Sequence, residues 1–133
     1  MKLIFKACIV LLGLCLCLDS QAQTEGYDVF IPISKYMVQG NSDALSAWFD
    51  DSLEISVNGK GGDSSRTQAR QILKAFFSSH TPHSFEITHT SGRSGMKYIL
   101  GDLNAGGETY RVIVFAGCKD GGYKIQQLKI DRL

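Results

Sequence analysis

The chain has 133 residues, with 14 Lys and Arg against 13 Asp and Glu and a formal net charge of +1. No Lys/Arg run stands anywhere beyond its first few residues. The basic stripe that tracks phosphates is therefore missing, and nucleic acid is excluded as a partner. A chain of this length supports one hydrophobic core rather than two domains.

Residues 1–22 read as a cleaved secretory leader. Lys2 and Lys6 form a basic start, Ala7 to Leu18 an almost unbroken apolar run, and Ser20-Gln21-Ala22 the small-x-small pattern of a signal-peptidase site. Cleavage after Ala22 leaves Gln23 as the new N-terminus and residues 23–133 as a single domain. The run is roughly a dozen residues, short of the ~20 that span a bilayer, so no membrane span is expected after cleavage. Cys15 and Cys17 follow Leu14 and Leu16 rather than the small residue that lipid attachment requires. The expected destination is the periplasm or the outside of the cell. Cys8, Cys15 and Cys17 leave with the leader, and Cys118 remains as the single cysteine of the mature chain. An internal disulfide is then excluded and an intermolecular one is not.

Asp28 is placed to cap a first helix whose Val29, Phe30, Ile33, Tyr36 and Met37 share one face, with Pro32 in the first turn. Gly40-Asn41 ends it. Asn41 or Ser42 starts a second, short helix with Ala44, Leu45, Trp48 and Phe49 on one side. Leu53, Ile55 and Val57 alternate with Glu54 and Ser56 as a half-buried strand, and Asn58-Gly59 is a hairpin signal. Gly61 to Ser64 is a turn or short return strand. Ser65-Arg66-Thr67-Gln68 fits a capping box ahead of Ala69, Ile72, Leu73, Phe76 and Phe77 at helical spacing.

After Pro82 the apolar period drops to two. Phe85, Ile87 and His89 alternate, and further strands are expected at Met96–Leu103, Thr109–Ala116 and Tyr123–Ile130, separated by glycine-rich turns. In the last strand Tyr123 and Ile125 are apolar at odd positions, whereas Leu128 and Ile130 are apolar at even ones. A bulge near Gln126-Gln127 would return all four to one face and bend the sheet. The expected fold is α+β: three helices on a strongly curved, mainly antiparallel sheet, in the order ααβ(β)αββββ.

That order, with Gln39-Gly40-Asn41, Phe49-Asp50-Asp51, Gln68-Ala69 through Phe76-Phe77, Ser84-Phe85, His89, Thr109 to Val112 and Ile125 to Leu128, resembles the nuclear-transport-factor-two-like superfamily. Within it the chain is most similar to a small family of exported bacterial domains of unknown function. The resemblance implies a cone with a pocket between sheet and helices. The steroid-isomerase branch carries a similar Asp-Asp pair, and its catalytic carboxylate a few residues later aligns near Ser56. A hydroxyl cannot shuttle the proton, and Glu54 is the nearest substitute.

His89 is the candidate catalytic base, since a histidine sharing a face with Phe85 and Ile87 would point at the core or pocket. Tyr36, Trp48, His89, Tyr98 and Tyr110 are the candidate pocket-lining residues. Asp50-Asp51 is a candidate for a shared proton or cation, and a solvated turn pair is the commoner use of such residues. His80 and His83 lack a third ligand, so no metal is expected. Lys60 is followed by Gly, which excludes a phosphate loop at Gly59 to Ser65. No cofactor is expected. The functional expectation is a non-catalytic module that binds a small molecule or a protein. A small pocket enzyme of isomerase, dehydratase or hydrolase type using His89, and a structural homodimer across the sheet, are the alternatives.

Overall fold

The structure, a computed structural model, describes residues 29–133. The leader and the capping role of Asp28 lie outside the described residues. Helix α1 (Phe30–Gln39) buries Phe30, Ile33 and Met37. It ends at Gly40, whose φ of 67° is left-handed. The Gly40 N–H donates to the Met37 carbonyl and the Asn41 N–H to that of Tyr36, a double closure that satisfies two terminal carbonyls. Asn41 Oδ1 then accepts the Ala44 N–H at 3.0 Å and starts α2 (Ser42–Ser46).

Helix α2 is shorter than its apolar spacing suggests. Trp48 and Phe49 were expected on it, yet Phe49 opens strand β1 (Phe49–Val57). The Trp48 carbonyl accepts the Ile125 N–H at 2.7 Å, and this tie draws the chain into the sheet before a second helical turn can form. Asn58 and Gly59, at φ 53° and 80°, make the expected tight turn into β2 (Lys60–Ser65). The Ser65–Gln68 capping box is present and begins α3 (Arg66–Ser79), which buries Ala69, Leu73, Phe76 and Phe77.

Four antiparallel strands follow: β3 (Pro82–Arg93), β4 (Met96–Ala105), β5 (Glu108–Lys119) and β6 (Gly122–Arg132). The six-stranded sheet has the order β2-β1-β6-β5-β4-β3. Every neighbouring pair is antiparallel except β1 and β6. Element order and sheet character thus agree with the sequence expectation.

One face of the sheet carries the core. Leu103, Tyr110, Val112, Val114, Leu128 and Ile130 are fully or almost fully buried there. The Phe76 ring meets Tyr110 edge-on at 5.1 Å, which fixes this as the face that the helices cover. Phe85 lies across Gly101, where a Cβ would come within 2.6 Å of its ring, so Gly101 is the gap that admits the phenyl group. Among the described residues no helix is long and apolar enough to cross a membrane.

Candidate functional site

The residues singled out from sequence do not converge inside the cone. Tyr110 is 1% exposed and part of the core, between Phe76 and the ring of His80 at 5.7 Å. Tyr36 and Trp48 are half-buried against that core. Large apolar side chains, Phe30, Phe49, Leu73 and Tyr110 among them, are buried in the cone. A surface hollow of about 680 Å³ runs between α3 and the β1–β2 hairpin.

His89 is exposed rather than directed at the core. The ladder between β3 and β4 runs Ile87 opposite Gly101, then His89 opposite Leu100, leaving Thr88 as an extra residue. A one-residue bulge moves the following side chain to the other face. Phe85 and Ile87 therefore face the helices, while His89 faces away from them. Its ring lies 6.2 Å from that of Tyr98, so these two are the pocket candidates that the structure brings together. Period-two alternation carries no sign of this bulge.

Ser56 and Glu54 also point away from the helices, since their neighbour Ile55 is fully buried and side chains alternate. Glu54 accepts a hydrogen bond from Gln127 Nε2 at 3.3 Å. His80 caps α3, while His83 is exposed at the start of β3. Among the described residues no group of three or more His, Cys, Asp or Glu side chains is placed to hold a metal ion. Cys118 is the single cysteine among the described residues.

The Asp50-Asp51 pair is split between two jobs. Between Phe49 and Glu54, strand β1 leaves its ladder with β6, and β6 itself bulges at Gln126 between the partners of Phe115 and Ala116. Asp50 bridges this gap: Lys119 Nζ donates to Oδ1 at 2.7 Å and Gln126 Nε2 to Oδ2 at 3.3 Å. The Lys119 hydrogen bond, helped by the Asp51 N–H, outweighs burial and holds the Asp50 carboxyl below the ordinary carboxylate range. Asp51 instead pairs with Arg66 at 3.0 Å. The adjoining cleft of about 360 Å³ holds both carboxylates, both their cations, Asp120 and Lys124. Its buried carboxylate is already satisfied, so the cleft reads as a structural tie.

The open face of the sheet is different. Cross-strand partners share a face, and the register places Tyr98 opposite Phe115 and Leu100 opposite Ile113. These four apolar side chains form one block in the middle of the face that the helices leave bare, and all are half-buried. Met96 extends the block and is 39% exposed. A hollow of about 310 Å³ opens here, lined by Arg93, Met96, Tyr98 and Phe115 among others. On one side stands a charged row, Glu86–Asp102–Arg111–Asp131. Asp102 Oδ1 and Arg111 Nε are 3.5 Å apart, and neither atom makes a hydrogen bond. Binary patterning from sequence marks Leu100, Ile113 and Phe115 simply as strand residues. Only the register shows them as one uncovered patch.

Three helices on one side of a six-stranded curved sheet define a nuclear-transport-factor-two-like α+β domain. The chain belongs to the family described as Domain of unknown function (DUF4783), whose model matches residues 30–131. The crystal structure of a DUF4783 family protein from Bacteroides uniformis ATCC 8492 is similar at 25% identity, covering 77% of this chain and 94% of that one with a TM-score of 0.74. One from Bacteroides fragilis YCH46 is similar at 24% identity, with 77% and 97% covered and a TM-score of 0.73. A protein of ketosteroid isomerase-like fold from Catenulispora acidiphila DSM 44928, solved in complex with trimethylamine, shares the fold at 13% identity, with 77% and 83% covered and a TM-score of 0.61. No curated protein matches the sequence.

Proposed function

We propose that this is an exported, non-catalytic interaction module whose working surface is the open face of the sheet. The observation that carries the reading is the Tyr98, Leu100, Ile113 and Phe115 block, an apolar cluster in the centre of a face without a helix over it. Contiguous exposed apolar surface rimmed by polar groups is what interaction sites present. The acid–base alternative loses its geometry, because His89, Ser56 and Glu54 all point away from the cone. The Catenulispora protein holds a small amine. In this chain Tyr110 and Phe76 are buried core side chains, and the hollow beside Phe76 is open to solvent, which favours a surface over an enclosed ligand site.

The test is photo-cross-linking in the native host, with a photoreactive phenylalanine at Tyr98 or, as control, at exposed Lys74 on α3. Adducts should form at position 98 in clear excess over position 74. Equal yields would overturn the reading, as would an isomerase, dehydratase or hydrolase turnover that His89→Gln abolishes.

A further inference from the structure

We infer that strand β2 is a docking edge for an extended peptide segment of a partner protein, which adds to the sheet as a further antiparallel strand beside α3. This surface is separate from the open face. Strand β2 stands at one end of the strand order and pairs with β1 without a register shift. The opposite edge, β3, is interrupted by its bulge at Thr88 and has α1 packed along it. A two-residue hairpin closes on a hydrogen-bonded pair, here Val57 and Lys60, and such pairs alternate along the ladder. Gly62 and Ser64 therefore bond to β1, while the N–H and C=O groups of Gly61 and Asp63 point outward. Among the described residues those four groups have no partner. The next outward N–H, that of Ser65, is taken by the Gln68 side chain, which ends the free edge.

On the helix side this edge borders a groove. Lys60, Gly62 and Ser64 share a face with Val57, Ile55 and Leu53, which pack in or against the core. Side chains of an added strand opposite those three point the same way. A Cβ at Gly62 would meet nothing within 4 Å. Hollows of about 680 Å³ and 650 Å³ adjoin there and share Gly61 and Ile72. Their other wall is one flank of α3, from Thr67 through Gln71, Ile72 and Ala75 to Ser79. That flank is about 18 Å long at ~1.5 Å per residue, the length of an extended segment of about five or six residues.

The lining sets the chemistry of the segment. Opposite Gly62 there is room for an apolar side chain against Ile72. Beside Lys60 the hollow presents Val57, Ala75 and Phe76 and no acidic side chain. Lys60 makes no ion pair among the described residues, so an acidic side chain opposite it meets an unneutralised charge. An antiparallel segment therefore reads apolar, any residue, acidic. Main-chain bonds to Gly61 and Asp63 hold it, and the two alternate side chains select it.

The experiment titrates the full-length, nitrogen-15-labelled protein with the end-blocked peptide Thr-Thr-Ile-Thr-Glu-Thr-Thr and follows amide shifts. Shifts at Gly61, Asp63 and Ile72 should saturate below about 1 mM peptide. The two threonines flanking the isoleucine lie opposite Asp63 and Gly61, and methylating their backbone nitrogens should weaken binding at least about tenfold. Asp63→Pro removes an outward donor where an edge strand tolerates proline, and should weaken binding at least about fivefold with an unchanged thermal melt. Lys60→Glu should weaken binding to this peptide and restore it to one carrying lysine in place of glutamate. No shift at about 2 mM peptide, shifts confined to the open face around Tyr98 and Phe115, or binding that survives methylation overturns the added strand. A Lys60→Glu variant that binds both peptides alike overturns the acidic position.

Discussion

Asp50 shows how one side chain can replace missing backbone pairing. Where β1 and β6 lose register, the carboxylate accepts from Lys119, from Gln126 and from the Asp51 N–H. Its side chain is 12% exposed, so truncation removes charge-assisted bonds that water replaces poorly. Asp50→Ala should cost about 1–3 kcal/mol, read as a lower urea midpoint with an unchanged slope. The pH dependence follows from the directions of the two shifts. The Asp50 value lies below the ordinary 3.8 in the fold, so its contribution is present above about pH 4 and fades as pH falls through the folded value. The Lys119 value is raised above 10.5, so its contribution is present below that pH and fades as pH rises through the folded value. Acid titration of wild type and Asp50→Ala should therefore show curves that converge below pH 4 and stay apart through neutrality. Curves that stay parallel into strong acid would assign the Asp50 effect to packing alone.

At the scale of elements, the bulges decide what each strand presents. Gln126 lets Ile125, Leu128 and Ile130 all reach the core, where each is 1% exposed or less. Deleting Gln126 would remove the bulge and leave Ile125, Gln127 and Leu128 in regular alternation opposite the same β5 residues, so that variant should fold with its apolar side chains still in the core and with a straighter strand. Gln126→Ala keeps the residue count and loses one side-chain bond, so it should fold with a loss of about 1 kcal/mol. Circular dichroism and thermal melts of the two variants separate register from chemistry. This bulge was legible in the sequence because apolar parity changes between Ile125 and Leu128. The bulge at Thr88 was not, since Phe85, Ile87 and His89 keep their parity and exposed Ile87 carries little burial signal. His89 was misplaced for that reason. The capping box, the Asn58-Gly59 turn and the apolar face of α3 were equally readable, each fixed by local chemistry. The end of α2 was hidden because the Trp48 carbonyl is claimed by a strand far along the chain.

At the scale of the molecule, the core and the open face follow different rules. The core repeats the local alternation of every strand, so the fold was recoverable from pattern and resemblance. The open face is assembled from β3 to β6 by register, a quantity that no single segment carries. The proposed export of the chain rests on its first 22 residues. Protein recovered from the periplasm or medium of the host should have an intact mass beginning at Gln23. A mass that retains Cys15 or Cys17, or adds lipid, would contradict cleavage after Ala22.

The parallel seam between β1 and β6 sets the timing of folding. The strand nearest the C-terminus lies between the first hairpin and the rest of the meander, and the Asn58 N–H reaches the Ile130 carbonyl at 2.7 Å across that seam. Pairing over so long a stretch of sequence is slow and arrives late. A chain that ends at Gly121 holds a β1–β2 hairpin and a three-stranded meander with no strand to join them. The sheet therefore closes only when the last eleven or so residues have left the ribosome.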